Sequence, residues 1–275
     1  MKNVLTIAGS DCSGGAGVQA DLKTMCALGV YGMSVITALT AQNTRGVFKV
    51  LEIEGAMVTA QIEAVYRDIR VDAVKIGMVS SPEIIRAVKD ALERFGSATR
   101  HIVFDPVMVS KSGYALLRPE ALGEVRSLAA IAAMLTPNIP EAELLSGVSI
   151  RDEGDMTRAA ERIAGLGAKH ILIKGGHRLG SGAAKDLLFT EGRVVRLEGP
   201  RIDTKHTHGT GCTLSSALAC FLAFGYTAED AAKAAKEYIT QAITDGYPVG
   251  HGVGPVGHLN ALYRKAGVRY DRYDQ

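Results

Sequence analysis

Short apolar runs alternate with longer segments of helical periodicity along most of the chain. Apolar runs rich in β-branched residues predict strands, and apolar residues three and four positions apart predict helices. The predicted strands are residues 4–8, 34–39, 73–76, 101–104, 134–136 and 170–173, and the predicted helices are residues 16–28, 58–69, 82–95, 155–166, 212–224 and 228–245. Residues 186–190 and 194–197 predict a β-hairpin. This alternation predicts an α/β fold in which helices cover both faces of a mostly parallel sheet.

No low-complexity segment, repeat or linker marks a domain boundary, and α/β domains often reach the 275 residues of this chain. We therefore expect residues 1–275 to form a single domain. Ligands of such sheets bind beyond the carboxyl ends of the strands. The loops that follow strands are accordingly where we expect functional residues.

Composition narrows the classes of function. Apolar residues make up 47% of the chain, enough for a large core, and the net charge is +2 with acidic and basic residues mixed. This balance argues against a nucleic-acid or membrane-surface partner. No apolar run approaches the length of a membrane span, and the four cysteines lack paired or zinc-site spacing. We expect a cytoplasmic enzyme with free thiols.

The most informative segment is the glycine turn Gly209-Thr210-Gly211-Cys212, which precedes an Ala- and Leu-rich helix that continues to about Gly225. Such a turn leaves N–H groups unpaired at a helix N-terminus, where the helix dipole also favours negative charge. It therefore predicts an anion hole. Cys212 lies in its mouth, and the same field predicts a lowered thiol pKa. An anion site beside an activated side chain indicates group transfer, with phosphoryl transfer as the first candidate.

Other strand ends carry side chains suited to nucleotide chemistry. Asp105 and Glu141 could support a hydrated Mg²⁺, although an acid such as Glu141 is more commonly just the first-turn residue of a helix, here one that begins at Pro140. Lys174 follows a predicted strand and suits a phosphate as a point charge. The glycine-rich loop at residues 9–17 matches neither the Walker A nor the G-x-G-x-x-G spacing. It indicates either a tight turn or a close approach of backbone to a ligand.

Gln42 closes the second predicted strand and could recognise a pyrimidine. A carboxamide can pair with a ring nitrogen and a neighbouring exocyclic amine, although a surface amide is the commoner explanation. His208 keeps another chemistry open, because a Cys212/His208 pair would suit acyl transfer. A non-catalytic pyrimidine-binding protein is a third possibility.

Taken in order along the chain, these segments resemble the hydroxymethylpyrimidine/phosphomethylpyrimidine kinase family of thiamine biosynthesis, within the ribokinase-like superfamily. The resemblance covers essentially the whole chain. It rests on LTIAGSD at 5–11, SGGAGVQADLK at 13–23, TALTAQNT at 37–44, KIGM at 75–78, DPVM at 105–108, TPN at 136–138 with Glu141, KGGH at 174–177, THGTGC at 207–212 and GVGPV at 252–256. Each motif is weak alone, and their joint occurrence is specific.

The resemblance implies a three-layer α/β/α sandwich that transfers the γ-phosphate of ATP, with Mg²⁺, first to a hydroxymethylpyrimidine and then to its monophosphate. It also implies a homodimer. It places substrate contacts at Gly9, Asp21, Gln42, Met78 and the Val107 backbone, nucleotide contacts at Asn138, Lys174 and Thr207, Mg²⁺ near Asp105 and Glu141, and catalysis at Gly209, Thr210, Gly211 and Cys212.

Further expectations concern single residues and one loop. Cys212 would accept the alcohol proton, so we expect Cys212→Ala to lose about 10²–10⁴-fold in turnover. Pyridoxal kinase is the nearest alternative in the superfamily, and the Gln42 amide suits an aminopyrimidine better than a pyridine. Cys12 departs from the Pro, Ser or Thr usual in relatives, and we expect the chemistry to be unchanged. Residues 175–182 are expected to form a mobile lid.

Overall fold

The structure is a computed structural model that describes residues 1–110, 113–176 and 183–268. Within these residues, one sheet contains nine strands. The strands are β1 (Asn3–Asp11), β2 (Tyr31–Asn43), β3 (Gly46–Glu52), β4 (Ala73–Ile76), β5 (Ile102–Phe104), β6 (Met134–Leu135), β7 (His170–Lys174), β8 (Ala183–Thr190) and β9 (Arg193–Pro200).

The order across the sheet is β3-β2-β1-β4-β5-β6-β7-β8-β9. The six strands from β2 to β7 pair in parallel, whereas β3, β8 and β9 pair antiparallel at the two edges. The predictions of a mostly parallel sheet and of the β8–β9 hairpin are confirmed. Strand β3 was not predicted, because this edge strand is largely exposed or half-buried and lacks the apolar run of a covered strand.

Helices occupy the connections between the strands. They are α1 (Gly17–Ala27), α2 (Gly55–Asp68), α3 (Pro82–Phe95), α4 (Leu122–Ala129), α5 (Ile139–Ser146), α6 (Glu153–Ala164), α7 (Thr210–Ala223), α8 (Ala228–Thr244) and α9 (Asn260–Lys265). The short helices α4 and α9 are the main additions to the prediction, and α5 is the helix expected to begin at Pro140, which starts one residue earlier. Helix α7 also begins two residues earlier than predicted, inside the glycine turn itself.

Two apolar clusters on opposite faces of the sheet give the molecule its three layers. Helices α2 to α6 pack on one face together with strand residues such as Leu5 and Ile7. Helices α1, α7 and α8 pack on the other face with Val4, the residue that precedes Leu5 in the same strand. Alternation of side chains along β1 thus joins both layers to one sheet. The three-layer α/β/α prediction is confirmed.

Two remaining expectations concern the membrane and the lid. Among the described residues, no helix is both long enough and apolar enough to cross a membrane. The expected lid at 175–182 falls mostly on residues 177–182, which lie outside the described part of the chain.

The parallel strands end at one edge of the sheet, and there the chain order reverses between β1 and β4. Such a reversal opens a crevice, because the connections on its two sides leave the sheet on opposite faces. The start of α7 lies at this edge as well. The fold therefore brings the segments singled out in the sequence to one place.

Candidate active site

A cavity of about 670 Å³ lies at the carboxyl edge of the parallel strands. All of the predicted site residues except Asp21 line it. They are Gly9, Gln42, Met78, Asp105, Val107, Asn138, Glu141, Lys174, Thr207, Gly209, Thr210, Gly211 and Cys212. These residues come from the ends of strands β1, β2 and β7, from the segments that follow β4, β5 and β6, and from the start of α7, so the sheet edge gathers groups that are far apart in sequence.

The anion-hole turn depends on the glycine that caps α7. Gly209 has a φ of 82°, in the left-handed region, and a Cβ there would lie 1.9 Å from the carbonyl oxygen of Gly15. Only glycine fits this close approach of two loops. The first intrahelical bond runs from Thr213 N–H to the Gly209 carbonyl, 2.9 Å. The N–H groups of Gly211 and Cys212 precede it and are directed at the cavity by helix geometry.

An ion pair lies beside this turn. Lys174 Nζ donates to Asp105 Oδ1 at 2.6 Å, and Thr136 donates to the same oxygen at 3.1 Å. A Cβ at Gly211 would lie 3.2 Å from Asp105 Oδ2 and 3.6 Å from Lys174 Nζ, so the helix terminus packs directly against the pair. Burial acts to lower the pKa of Lys174, but the carboxylates of Asp105 and Glu141 outweigh it and the pKa is raised. Lys174 is therefore a permanent cation in the cavity wall.

Glu141 has both of the roles that the sequence left open. It completes a capping box at the start of α5, in which its Oε2 accepts from the Asn138 N–H at 2.8 Å and its own N–H donates to Asn138 Oδ1 at 3.0 Å. It also lines the cavity. Burial and the nearby charge of Asp105 raise its pKa to about 7, although Lys174 opposes the shift.

The Asp105 and Glu141 carboxylates fit a hydrated Mg²⁺. Both carboxylates line the cavity, and they lie close enough for the charge of Asp105 to add to burial in raising the pKa of Glu141. In the described residues, no group of three or more His, Cys, Asp and Glu side chains is arranged to hold a metal. Mg²⁺ is usually held by one or two carboxylates together with water and substrate phosphates, so two are sufficient.

The predicted lowering of the Cys212 pKa is wrong. Burial raises the pKa of the thiol to about 11, and the charges of Asp21 and Asp105 act in the same direction against the attraction of Lys75. A helix terminus supplies only about half a unit charge. The free energy needed to desolvate a thiolate exceeds the stabilisation that this helix terminus gives it, so the thiol is protonated at neutral pH.

Asp21 does not reach the cavity, which contradicts its predicted role in substrate binding. Its side chain is fully buried and accepts hydrogen bonds from Thr6 at 2.6 Å, Lys75 at 2.8 Å and Ser216 at 2.7 Å. Lys75 is also fully buried. Burial acts to lower its pKa, but the pairing with Asp21 raises it. The network joins strands β1 and β4 and helix α1 to the second turn of α7, and so holds the anion-hole helix against the sheet.

Gln42 lies in the wall of the same cavity, with Met78 and Val107. His208 Nε2 is 2.8 Å from Asp11 Oδ2 and 3.5 Å from Gln42 Nε2. The Asp11–His208 pair was not predicted. The sequence suggested His208 only as a partner for Cys212, whereas in the structure its ring nitrogen faces Asp11. His208 is therefore paired with Asp11, which removes the main support for acyl transfer by a Cys212/His208 pair.

Cys12 contacts the backbone of Gln42. Its thiol donates to the Gln42 carbonyl at 3.1 Å and accepts from the Gln42 N–H at 3.4 Å. The thiol is exposed and lies outside the cavity lining. Cys12 thus supports the position of Gln42 without lining the cavity.

Comparison with known proteins agrees with this geometry. A family profile described as phosphomethylpyrimidine kinase matches residues 11–257. A hydroxymethylpyrimidine/phosphomethylpyrimidine kinase of Rhizobium meliloti (strain 1021) is 51% identical over 264 residues, which cover 94% of this chain and 98% of the relative.

Solved structures are similar as well. A phosphomethylpyrimidine kinase from Clostridium difficile 630 is 50% identical with a TM-score of 0.78, over 88% of this chain and 100% of that one. A pyridoxal kinase from Bacillus subtilis, solved with ADP, is 40% identical with a TM-score of 0.86, over 94% of this chain and 97% of that one. The ribokinase-like fold is thereby confirmed, and the chain belongs to the phosphomethylpyrimidine kinase family.

Proposed function

We propose that this protein uses ATP to phosphorylate 4-amino-5-hydroxymethyl-2-methylpyrimidine, and then its monophosphate to the diphosphate, in thiamine biosynthesis. One observation carries the proposal. A single cavity is lined by the anion-hole turn, by Lys174 and by Gln42. Membership of a kinase family and the names of close relatives agree with it.

Positioning and charge neutralisation carry the reaction. The hydroxymethyl oxygen attacks the γ-phosphorus, the bond to the β,γ-bridging oxygen breaks, ADP leaves and the hydroxyl proton is released. The transition state is loose, with charge spread over the transferring phosphoryl oxygens. The N–H groups of Gly211 and Cys212 and the Lys174 ammonium are placed to stabilise that charge. Because the Cys212 thiol is protonated at neutral pH, no base role is assigned to it.

Asp105 and Glu141 would hold Mg²⁺ in this scheme. When bound, the ion supplies positive charge to the nucleotide phosphates and neutralises the carboxylates. Asn138 and Thr207 lie in the same wall and complete the proposed nucleotide side. Glycine at position 211 leaves room at the charged pair, which a Cβ would crowd.

Pyridoxal phosphorylation is the alternative activity, because pyridoxal kinases share the fold and 40% of residues in one solved case. Gln42 separates the two substrates. An aminopyrimidine presents a ring acceptor beside an amine donor, which matches both halves of the amide, whereas the pyridine of pyridoxal lacks that pair.

A coupled assay of ADP formation with Mg-ATP tests the proposal, with the aminopyrimidine alcohol, pyridoxal or ribose supplied in turn. We expect the highest kcat/KM for the aminopyrimidine and the lowest for ribose. Gln42→Leu should reduce aminopyrimidine turnover far more than any pyridoxal turnover. A wild-type preference for pyridoxal, or no ADP with any of the three, would overturn the proposal.

We also propose that residues 1–275 act as one cytoplasmic domain that pairs as a homodimer. One sheet runs through the described chain, and its four cysteines are free. The β2–β3 edge exposes apolar side chains: Leu39 is 45% exposed, Phe48 is 67% exposed, and Leu51, which pairs with Leu39 in register, is 59% exposed. A second copy could cover this patch. Sedimentation of the wild type and of Leu51→Lys tests the dimer, and a monomeric wild type would exclude it.

A further inference from the structure

The contacts around Gln42 bear on which end of its amide faces the substrate. The amide has two orientations of the same shape, with nitrogen and oxygen exchanged, and only neighbouring hydrogen bonds decide between them. The amide lies 3.5 Å from His208 Nε2, so the orientation of the amide depends on whether that nitrogen carries a hydrogen.

Asp11 determines the state of His208. Its Oδ2 lies 2.8 Å from His208 Nε2. Burial acts to raise the pKa of Asp11, but hydrogen bonds from His208 and Ser13 outweigh it and the pKa is lowered, so the carboxyl is ionised. A carboxylate only accepts, and His208 Nε2 must therefore carry a proton and donate it.

A protonated Nε2 cannot accept an N–H from Gln42. With the amide nitrogen toward His208, two donors would face each other at 3.5 Å. With the amide oxygen there, the donor–donor contact is removed, because the Nε2 hydrogen that is donated to Asp11 has only acceptors around it, and the lone pairs of the amide oxygen remain available to a ligand. The NH₂ group then points toward the rest of the cavity, where it can donate.

We propose that Asp11 and His208 are positioning residues that fix the Gln42 amide with its oxygen toward His208, and thereby make the site selective for a heterocycle with an amine next to a ring nitrogen. The amide oxygen accepts from the exocyclic amine and the amide NH₂ donates to the ring nitrogen. A ring without the amine leaves the amide oxygen without a donor. The inference rests on the proposed function and adds how its specificity is set.

The surrounding contacts make this arrangement rigid. Asp11 Oδ2 also accepts from the N–H groups of Gly15 at 3.1 Å and Ala16 at 2.8 Å, and its Oδ1 accepts from the Ser13 hydroxyl at 2.7 Å. The His208 ring packs against Gly15, where an added Cβ would lie 2.2 Å from the ring carbon Cδ2. The imidazole therefore has little freedom to turn away from Gln42.

The experiment compares kcat/KM for the aminopyrimidine alcohol with that for the same alcohol lacking the 4-amino group. We expect the wild type to prefer the amine, and Asp11→Asn to reduce this preference about tenfold, because an asparagine amide can donate to Nε2 and release the Gln42 orientation. His208→Phe, which keeps the ring but removes the donor, should do the same and decides the matter if Asp11→Asn does not fold. In Gln42→Ala, the preference should be lost and adding Asp11→Asn should change it no further.

Ser13→Ala is the matched control, because it removes a bond to the other oxygen of Asp11 and leaves the link to His208 intact. It should retain the wild-type preference. If Asp11 and His208 had a purely structural role, Asp11→Asn and His208→Phe would lower kcat/KM for both substrates by the same factor. That result would overturn the inference. The proposed function fails separately, when the wild type phosphorylates neither pyrimidine.

Discussion

Two lysine–aspartate pairs act on Cys212, and they differ in what surrounds them. Lys75 and Asp21 are 2.8 Å apart with no exposed surface, and the hydroxyls of Thr6 and Ser216 complete the bonding of Asp21. Lys174 and Asp105 are 2.6 Å apart, but Lys174 keeps 18% of its side chain exposed and lines the cavity. One pair is closed by the protein, and the other is open to a ligand.

The difference shows that burial, more than the identity of the pair, separates a structural role from a chemical one. A sealed pair has no position from which to contact a phosphate, and its charges are satisfied by each other and by buried hydroxyls. An open pair next to a helix N-terminus can exchange part of its bonding for that of an anion. Both pairs lie at the anion-hole helix, so each can be tested by what its loss changes.

Loss of the sealed lysine should have the largest effect on stability. Lys75→Met leaves the Asp21 charge buried and unpaired, and we expect the free energy of unfolding to fall by about 3–5 kcal/mol. Urea unfolding followed by circular dichroism measures it. The double variant Lys75→Met with Asp21→Asn removes the charge while keeping an acceptor for the two hydroxyls, so it should regain much of the loss. A double variant no more stable than Lys75→Met would contradict the assignment.

Loss of the open lysine should mainly reduce turnover. Lys174→Met removes a cation from the charged end of the cavity, and we expect kcat to fall about 10²–10³-fold, the usual effect of losing one stabilising donor. Its stability should fall less than that of Lys75→Met, because Asp105 lines the cavity and loss of the partly exposed lysine admits water to its carboxylate. Lys174→Arg, which keeps the charge, should retain more turnover than Lys174→Met. If Lys174→Met kept turnover within a few-fold of the wild type, the cavity lysine would have no part in the transfer.

Glu141 should make Mg²⁺ binding depend on pH. Because its pKa is raised to about 7, Glu141 is largely protonated at pH 6 and ionised at pH 8. Mg²⁺ binds the carboxylate, so the Mg²⁺ concentration that gives half-maximal turnover should rise about tenfold for each pH unit below 7. Glu141→Gln should need more Mg²⁺ but show a flatter pH dependence. An unchanged slope in that variant would exclude Glu141 as the titrating group.

The same group gives a smaller change in stability with a definite sign. The pKa of Glu141 is raised from its ordinary value of 4.5, so the folded state binds the proton more tightly than the unfolded state. The contribution of this group is therefore fully present below about pH 4.5 and is lost as pH rises toward 7. The stability of Glu141→Gln, measured by thermal unfolding from pH 4.5 to 7, should lack the decline that the wild type shows.

The sequence was sufficient for the layers of the fold and for most of the cavity wall. Strands such as β1 and β7 are buried and apolar, so their periodicity predicts them, and residues after parallel strands must gather at one edge. Edge strand β3 was missed because its exposed pattern resembles a loop. The family resemblance supplied roles for Gln42 and Lys174, which their local sequence alone left ambiguous.

The errors concern burial and distant partners. Asp21 stands in a motif on the substrate side, but its partner Lys75 is 54 residues away and draws it into the interior. For Cys212, the local helix terminus predicted a low pKa, whereas packing around the thiol determines the outcome. The lysine in the otherwise apolar run at 73–76 was the one available signal, because a lysine in a covered strand needs a buried acid.

The turnover of Cys212→Ala, measured with the aminopyrimidine alcohol from pH 7 to 9, tests most directly whether the backbone turn and Lys174 carry the transfer. Since the thiol pKa is about 11, we expect kcat to stay within about tenfold of the wild type, instead of the 10²–10⁴-fold loss typical of a missing base, with the same pH profile. A loss of about 10²-fold or more, or a wild-type kcat that rises about tenfold per pH unit and no longer does so in the variant, would contradict the account and restore the thiol as the base.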